Sequence, residues 1–242
     1  MEKGSGAVDG WIGCGEARPF SMATCLVTGS NRGIGLEFCR QLKARGDQVI
    51  AACRATSPEL DALGVRVEAG VEQTSEAAVA ALVARLQGIP LDVVILNAGL
   101  LEASRLETLD LESLRRQFEV NALGPLRLAR ALLEQLPAGA KVALMSSRMG
   151  SIDDNTSGGS YGYRMSKVAL NMAGKSLAID LHGRGIAVAI LHPGLVRTRM
   201  VGFNAQAIPP EVAVRGLLAR IDALTLETSG TFWHANGEVL PW

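Results

Sequence analysis

The chain has 242 residues, 48% of them hydrophobic, which suits one α/β domain with a large sheet and a sizeable core. Its 24 basic and 24 acidic residues cancel and form no block of like charge, so neither nucleic acid nor an anionic membrane is an expected partner. No apolar run approaches the roughly 18 residues of a membrane-spanning helix, so no membrane insertion is expected.

Residues 1–21 carry five glycines and no clear period, and they lack the apolar core of a secretory signal. They read as a flexible extension, with Met22 opening a domain over 22–242. Ala23–Val27 predicts a buried strand, followed by a glycine-rich turn and a helix over Ile34–Arg45 that Gly46 ends. Gln48–Cys53 is the second strand and Val65–Ala69 a weaker third. A helix over Ser75–Leu86 precedes the continuous apolar run Leu91–Leu96, a strand of parallel-sheet type. A long helical region spans Leu109–Leu136 with a break near Asn121–Pro125, where proline lacks an N–H. Lys141–Ser146 is the fifth strand, and Tyr161–His182 a helix capped by Gly183. Ile186–Leu191 is the sixth strand, Glu211–Asp222 a helix, and Thr231–Trp233 a short last strand.

Strands alternating with helices at this spacing imply right-handed βαβ units and a mostly parallel sheet covered on both faces. The expected fold is therefore α/β: a Rossmann-type, doubly wound domain with seven strands. The cysteines, at 14, 25, 39 and 53, match no metal-ligand spacing, and no metal is expected. They read as small buried thiols, as in a cytoplasmic protein.

Chemistry enters at Gly29-Ser30-Asn31-Arg32-Gly33-Ile34-Gly35, between the first strand and the first helix. Gly29 permits a tight turn, Gly33 lets main chain approach a pyrophosphate, and Gly35 allows close helix–strand packing. The helix N-terminus then offers N–H groups and a positive dipole end to phosphates. With Thr28 in front, the spacing T-G-x-x-x-G-x-G resembles the short-chain dehydrogenase/reductase family. The cofactor form follows from charge. The second strand ends Ala52-Cys53-Arg54 with no acid to hold a ribose 2′-hydroxyl, while Arg32 and Arg54 suit a 2′-phosphate, so NADP(H) is expected. The family's adenine-contacting Asp is replaced by Gly70, leaving backbone, Glu72 or Gln73 for that contact.

Tyr163 and Lys167 are four residues apart on one helical face, the Y-x-x-x-K pattern. A free phenol has a pKa of about 10. An ammonium at about 4 Å would stabilise the phenolate by roughly 4 kcal/mol at an effective dielectric near 20, and so bring the phenol toward neutrality. Tyr161 lacks a lysine partner and reads as packing or substrate-facing. The resemblance assigns the remaining roles. Ser147, three residues before Gly150, holds the substrate oxygen, whereas Ser146 is structural. Asn97-Ala98-Gly99 matches the family's N-A-G signature beside the cofactor, and Asn121 the asparagine that holds a water near the lysine. Pro193, Gly194, Val196 and Thr198 fall in the segment that grips the nicotinamide and diphosphate.

The residues Cys53-Arg54 and the closing Leu240-Pro241-Trp242 resemble the C-factor and sniffer-type carbonyl reductase subgroup. The resemblance implies hydride transfer between NADPH and a small carbonyl or alcohol substrate, in a homodimer or homotetramer built through the long helices. A different class is also open: a nucleotide-binding regulatory protein of C-factor type with little turnover. Specificity is expected in Asp153–Tyr161 and Arg199–Pro210.

Overall fold

A computed structural model describes residues 22–242, so the expectation for residues 1–21, Cys14 included, lies outside the described residues. Seven strands form one sheet: β1 (Thr24–Thr28), β2 (Gln48–Ala52), β3 (Arg66–Glu68), β4 (Val93–Leu96), β5 (Lys141–Met145), β6 (Ala187–His192) and β7 (Phe232–His234). Their order is β3-β2-β1-β4-β5-β6-β7, and every neighbouring pair is parallel. The helices are α1 (Gly33–Arg45), α2 (Pro58–Asp61), α3 (Glu76–Arg85), α4 (Leu111–Phe118), α5 (Gly124–Ala131), α6 (Tyr161–His182) and α7 (Pro210–Asp222).

Strand alternation divides the core in two. Leu26, Ile50, Val94, Val142 and Val188 point to the face covered by α3, α5 and α6. Their neighbours Cys25, Val27, Val49, Ile95 and Ala189 point to the face covered by α1, α2 and α7. Both faces of the central strands are buried, so these strands read as unbroken apolar runs. Cys25, Cys39 and Cys53 are free thiols inside the second cluster, and burial pushes Cys25 and Cys39 up to about 12.

The structure departs from the expected elements at three places. The short α2 carries no periodic signal. It is set by Ser57, whose hydroxyl accepts from Leu60 N–H at 3.2 Å, and by Pro58 in its first turn. The break in the long helical region is a π-helical turn over Glu119–Leu123 joining α4 to α5. Pro125 has no N–H to give the Asn121 carbonyl four residues back, and the widened turn accommodates the loss. Gly183 at the end of α6 keeps helical angles, and the left-handed residue that turns the chain into β6 is Gly185, at φ +71°.

Candidate active site

The order of the sheet reverses between β1 and β4, and the carboxyl ends of these strands open a crevice there. Gly29 has φ +65°, and a Cβ on it would sit 2.9 Å from Ala98 Cα. A Cβ on Gly35 would approach the Gly29 carbonyl oxygen to 2.2 Å, so bare main chain lines the turn. Arg32 precedes α1 with no side-chain cap, and the first turn of the helix holds no acid. Uncapped N–H groups and the dipole's positive end therefore face the crevice, an arrangement that fits a diphosphate. Gly33 has φ +57°, and a Cβ there would lie 3.4 Å from Thr198 Cγ2, so Thr198 flanks the turn from the β6 side.

The two rim arginines are brought to one side by hydrogen bonds between their loops. The Ser30 hydroxyl donates to the Ala52 carbonyl at 3.1 Å, and the Asn31 amide to that of Ala55 at 2.9 Å. The Ser30 side chain is thus turned into the protein, leaving only its main chain toward the crevice. Arg54 is exposed and pairs with Glu72 at 3.4 Å, while Arg32 forms no ion pair among the described residues. Glu72 is thereby engaged with Arg54 and Thr74.

The Thr28 hydroxyl accepts from the N–H groups of Asn97 and Ala98, and the Asn97 amide donates to the Thr28 carbonyl. These bonds lock the end of β4 to the glycine turn. A Cβ on Gly99 would lie 3.3 Å from Asn121 Oδ1 and 3.8 Å from Lys167 Nζ, so three expected site residues share one corner. The Asn121 side chain is held by three bonds, accepting from Leu100 N–H and donating to the Leu100 carbonyl and Ser166 Oγ. Gln73, one of the groups the sequence left for an adenine contact, is buried, and its amide donates to the Val120 carbonyl at 2.6 Å and that of Ala98 at 3.4 Å. These bonds join the π turn to the loop after β4.

Ser147 follows β5, and its hydroxyl accepts from Met149 N–H at 3.2 Å. Ser146 instead bonds Asn171 inside the protein. Tyr163 and Lys167 lie one turn apart on α6, both buried, with Lys167 Nζ 5.6 Å from the Tyr163 ring centroid and donating to the Met145 carbonyl at 2.7 Å. Burial drives the Tyr163 phenol up to about 12, opposed by a hydrogen bond with Ser147. Burial also pulls Lys167 down to about 8. Burial thus acts against the lowering of the phenol that the lysine spacing implies. Desolvation is the largest influence on both groups.

After β6, Pro193 and Gly194 (φ +85°) turn the chain beside the crevice, and Val196 is buried in a parallel bridge with Ile208. His192 is paired edge to face with His234 at 5.0 Å. Burial first, and then the charges of His234 and Arg148, push it down to about 3. An apolar groove of about 570 Å³ is lined by Phe118, Met149, Tyr161, Met165 and Met172. On α6 these side chains stand opposite Tyr163 and Lys167, so the groove is a separate outer surface and Tyr161 belongs to it.

The family of short chain dehydrogenases matches residues 23–208. The 1-hydroxy-2-glutathionyl-2-methyl-3-butene dehydrogenase of Rhodococcus sp. (strain AD45) is 46% identical over 226 residues, covering 91% of this chain and 100% of that protein. C-signal of Myxococcus xanthus is 47% identical over 156 residues, covering 63% of this chain and 93% of that protein. Among solved structures, an NADPH-bound carbonyl reductase from chicken fatty liver superposes with a TM-score of 0.84 at 30% identity, over 91% of this chain and 99% of that one. The carbonyl reductase Sniffer of D. melanogaster gives 0.84 at 29% identity, over 92% and 100%.

Proposed function

We propose that this chain, which belongs to the short-chain dehydrogenase family, is an NADP(H)-dependent oxidoreductase acting between a carbonyl and its alcohol. The observation that carries the reading is one buried corner holding Tyr163, Lys167 and Ser147 beside a glycine turn shaped for a diphosphate. Main chain over Gly29–Gly35, with Asn97, Ala98, Gly99, Pro193, Gly194, Val196 and Thr198, would hold the dinucleotide. Arg32 and Arg54 would hold its 2′-phosphate, with Arg54 exchanging Glu72 for the more highly charged partner. The bound cofactor supplies the hydride and, once oxidised, a positive charge that favours the phenolate.

The protein's part is proton delivery and placement. Ser147 turns its hydroxyl proton to the substrate oxygen. Tyr163, kept protonated by burial, donates its phenolic proton to that oxygen, an effect typically worth 10² to 10⁴ in rate. Lys167 binds ribose hydroxyls and holds positive charge beneath the ring. The Asn121 carbonyl, without its α-helical donor because Pro125 has no N–H, starts a water path that returns a proton to Lys167.

The similarity to C-signal supports a second reading, a regulatory protein that binds the nucleotide without turning over. Cofactor consumption decides, measured in both directions with NADPH and NADH. The panel would hold aldehydes, ketones and hydroxylated glutathione thioethers, the last because of the Rhodococcus relative's substrate. The proposal predicts turnover with at least one compound and preference for the phosphorylated cofactor. Tight NADPH binding with no turnover across the panel would favour the regulatory reading. Buried unpaired thiols fit a cytoplasmic setting, and a second copy is the proposed occupant of the α6 groove, where exposed Met165, Met172 and Ile179 recur every seventh residue. Met172→Lys should then lower the mass measured by sedimentation.

A further inference from the structure

The final residues return across the molecule to the loop that follows the proposed substrate-orienting serine. From β7 the chain turns at Asn236–Gly237 and runs back antiparallel, with a bridge between Trp233 and Val239. The His234 N–H donates to the Glu238 carbonyl at 2.8 Å, and the Leu240 N–H to that of Phe232 at 2.8 Å. Leu240 is buried in the core and Trp242 stacks on Phe232 at 5.7 Å, which fixes the end of this hairpin.

Three donors from one short loop then converge on the main-chain oxygen of Trp242. They are the Ser151 hydroxyl at 3.0 Å, the Ile152 N–H at 2.7 Å and the Asp153 N–H at 2.9 Å. Ser151 Oγ also accepts from Asp154 N–H at 3.1 Å, which closes the loop on itself. A second tie runs through Arg148, the neighbour of Ser147. Its guanidinium lies 3.0 Å from Glu238 on the hairpin and 3.5 Å from Asp154 on the loop. The Gly150 N–H donates to the Ser147 carbonyl at 2.8 Å and the Ser151 N–H to that of Arg148 at 2.9 Å, so the held loop is rigidly continuous with Ser147. The same hairpin donates from Ala235 N–H to the His192 carbonyl at 2.8 Å, just before the Pro193–Gly194 turn.

We infer that Glu238–Trp242 is a strap that positions the Ser147–Asp154 loop, and thereby sets substrate placement without taking part in cofactor binding. The inference rests on the proposed carbonyl–alcohol reaction for its effect on catalysis, though the strap itself can be detected without that reaction. None of its bonds touches the glycine turn or the two rim arginines. Small errors of placement are costly, since about 1 Å at a reacting centre lowers rate about 10²-fold.

The test is a chain ending after Leu240, beside the full-length variants Glu238→Gln and Ser151→Ala. The expected result for the shortened chain is a 10- to 100-fold lower kcat/KM, in which substrate KM rises and kcat falls, with NADPH Kd within twofold of the parent (about the placement effect above). Each point variant should move the same way by a few-fold. In hydrogen exchange, the Ile152 and Asp153 amides should be protected in the parent and exchange freely in the shortened chain. A merely structural role would reduce the folded fraction, lowering kcat at constant KM. That pattern, unchanged exchange at the two amides, or an unchanged kcat/KM would overturn the strap. If the shortened chain does not fold, the two point variants carry the same decision. A parent that binds NADPH but turns nothing over would refute the proposed reaction, while the exchange at Ile152 and Asp153 would still decide the strap.

Discussion

On the β1–β2 side of the crevice the working surface is main chain, shaped by glycines within one seven-residue turn and backed by Asn97 and Thr28. On the β5–β7 side it is side chain, with Tyr163 and Lys167 buried and the adjoining loop held by residues about ninety positions away. The first region takes its shape from local glycine geometry and is fastened to the end of β4 through Thr28 and Asn97. The second exists only once the whole sheet has formed. Damage to the first should therefore appear as lost cofactor binding, and damage to the second as lost turnover with binding kept.

The largest effect expected is at Gly35. An added Cβ would meet backbone, which cannot swing away, so Gly35→Ala should cost about 3 kcal/mol or more of stability and abolish NADPH binding. Urea unfolding and a fluorescence titration would check it, and retained binding would break the distinction between the two sides.

Lys167 comes next, because burial lowers its folded value from 10.5 to about 8. The cost of burying the ammonium is full below pH 8 and is relieved as pH climbs toward 10.5, so this group makes stability rise across that window. The shift corresponds to about 3 kcal/mol. Tyr163, raised from 10.0 to about 12, acts oppositely, with stability lost as pH passes from 10 to 12. Lys167→Met should remove the rise between pH 8 and 10 while eliminating turnover. A parent and variant with parallel urea midpoints over that range would contradict the buried-charge account.

Gln73 links the two regions, and Gln73→Leu strands the Val120 carbonyl without its donor. A loss of about 1–3 kcal/mol is expected in thermal or urea unfolding. The smallest effects belong to the exposed rim: Arg32→Ala and Arg54→Ala should each weaken NADPH about 5- to 30-fold and leave NADH unchanged, as loss of a charge-assisted phosphate contact requires. Equal weakening of both cofactors would assign these arginines elsewhere.

Much of this was legible in the sequence, for reasons that follow the same division. The glycine turn and the Tyr163–Lys167 face depend on local spacing, and each is where the pattern puts it. The inward turn of the Ser30 side chain could not be read locally, because it depends on Ala52, which β2 brings alongside β1. The π turn could be read only as a break, since Pro125 says that a bond is lost and not how the helix absorbs the loss. The bonds to Trp242 left no trace, because its acceptor is a main-chain oxygen and two of the three donors are main-chain amides. For Tyr163, spacing gives the lysine's proximity and not the burial that opposes it.

Tyr163→Phe tests the central claim most directly, since it removes one hydroxyl and leaves both cofactor-side geometry and ring packing in place. NADPH Kd and steady-state turnover should be measured on the same preparation. The account predicts unchanged NADPH affinity with turnover lower by at least 10²-fold, the contribution expected of a positioned proton donor. Turnover near that of the parent would contradict it.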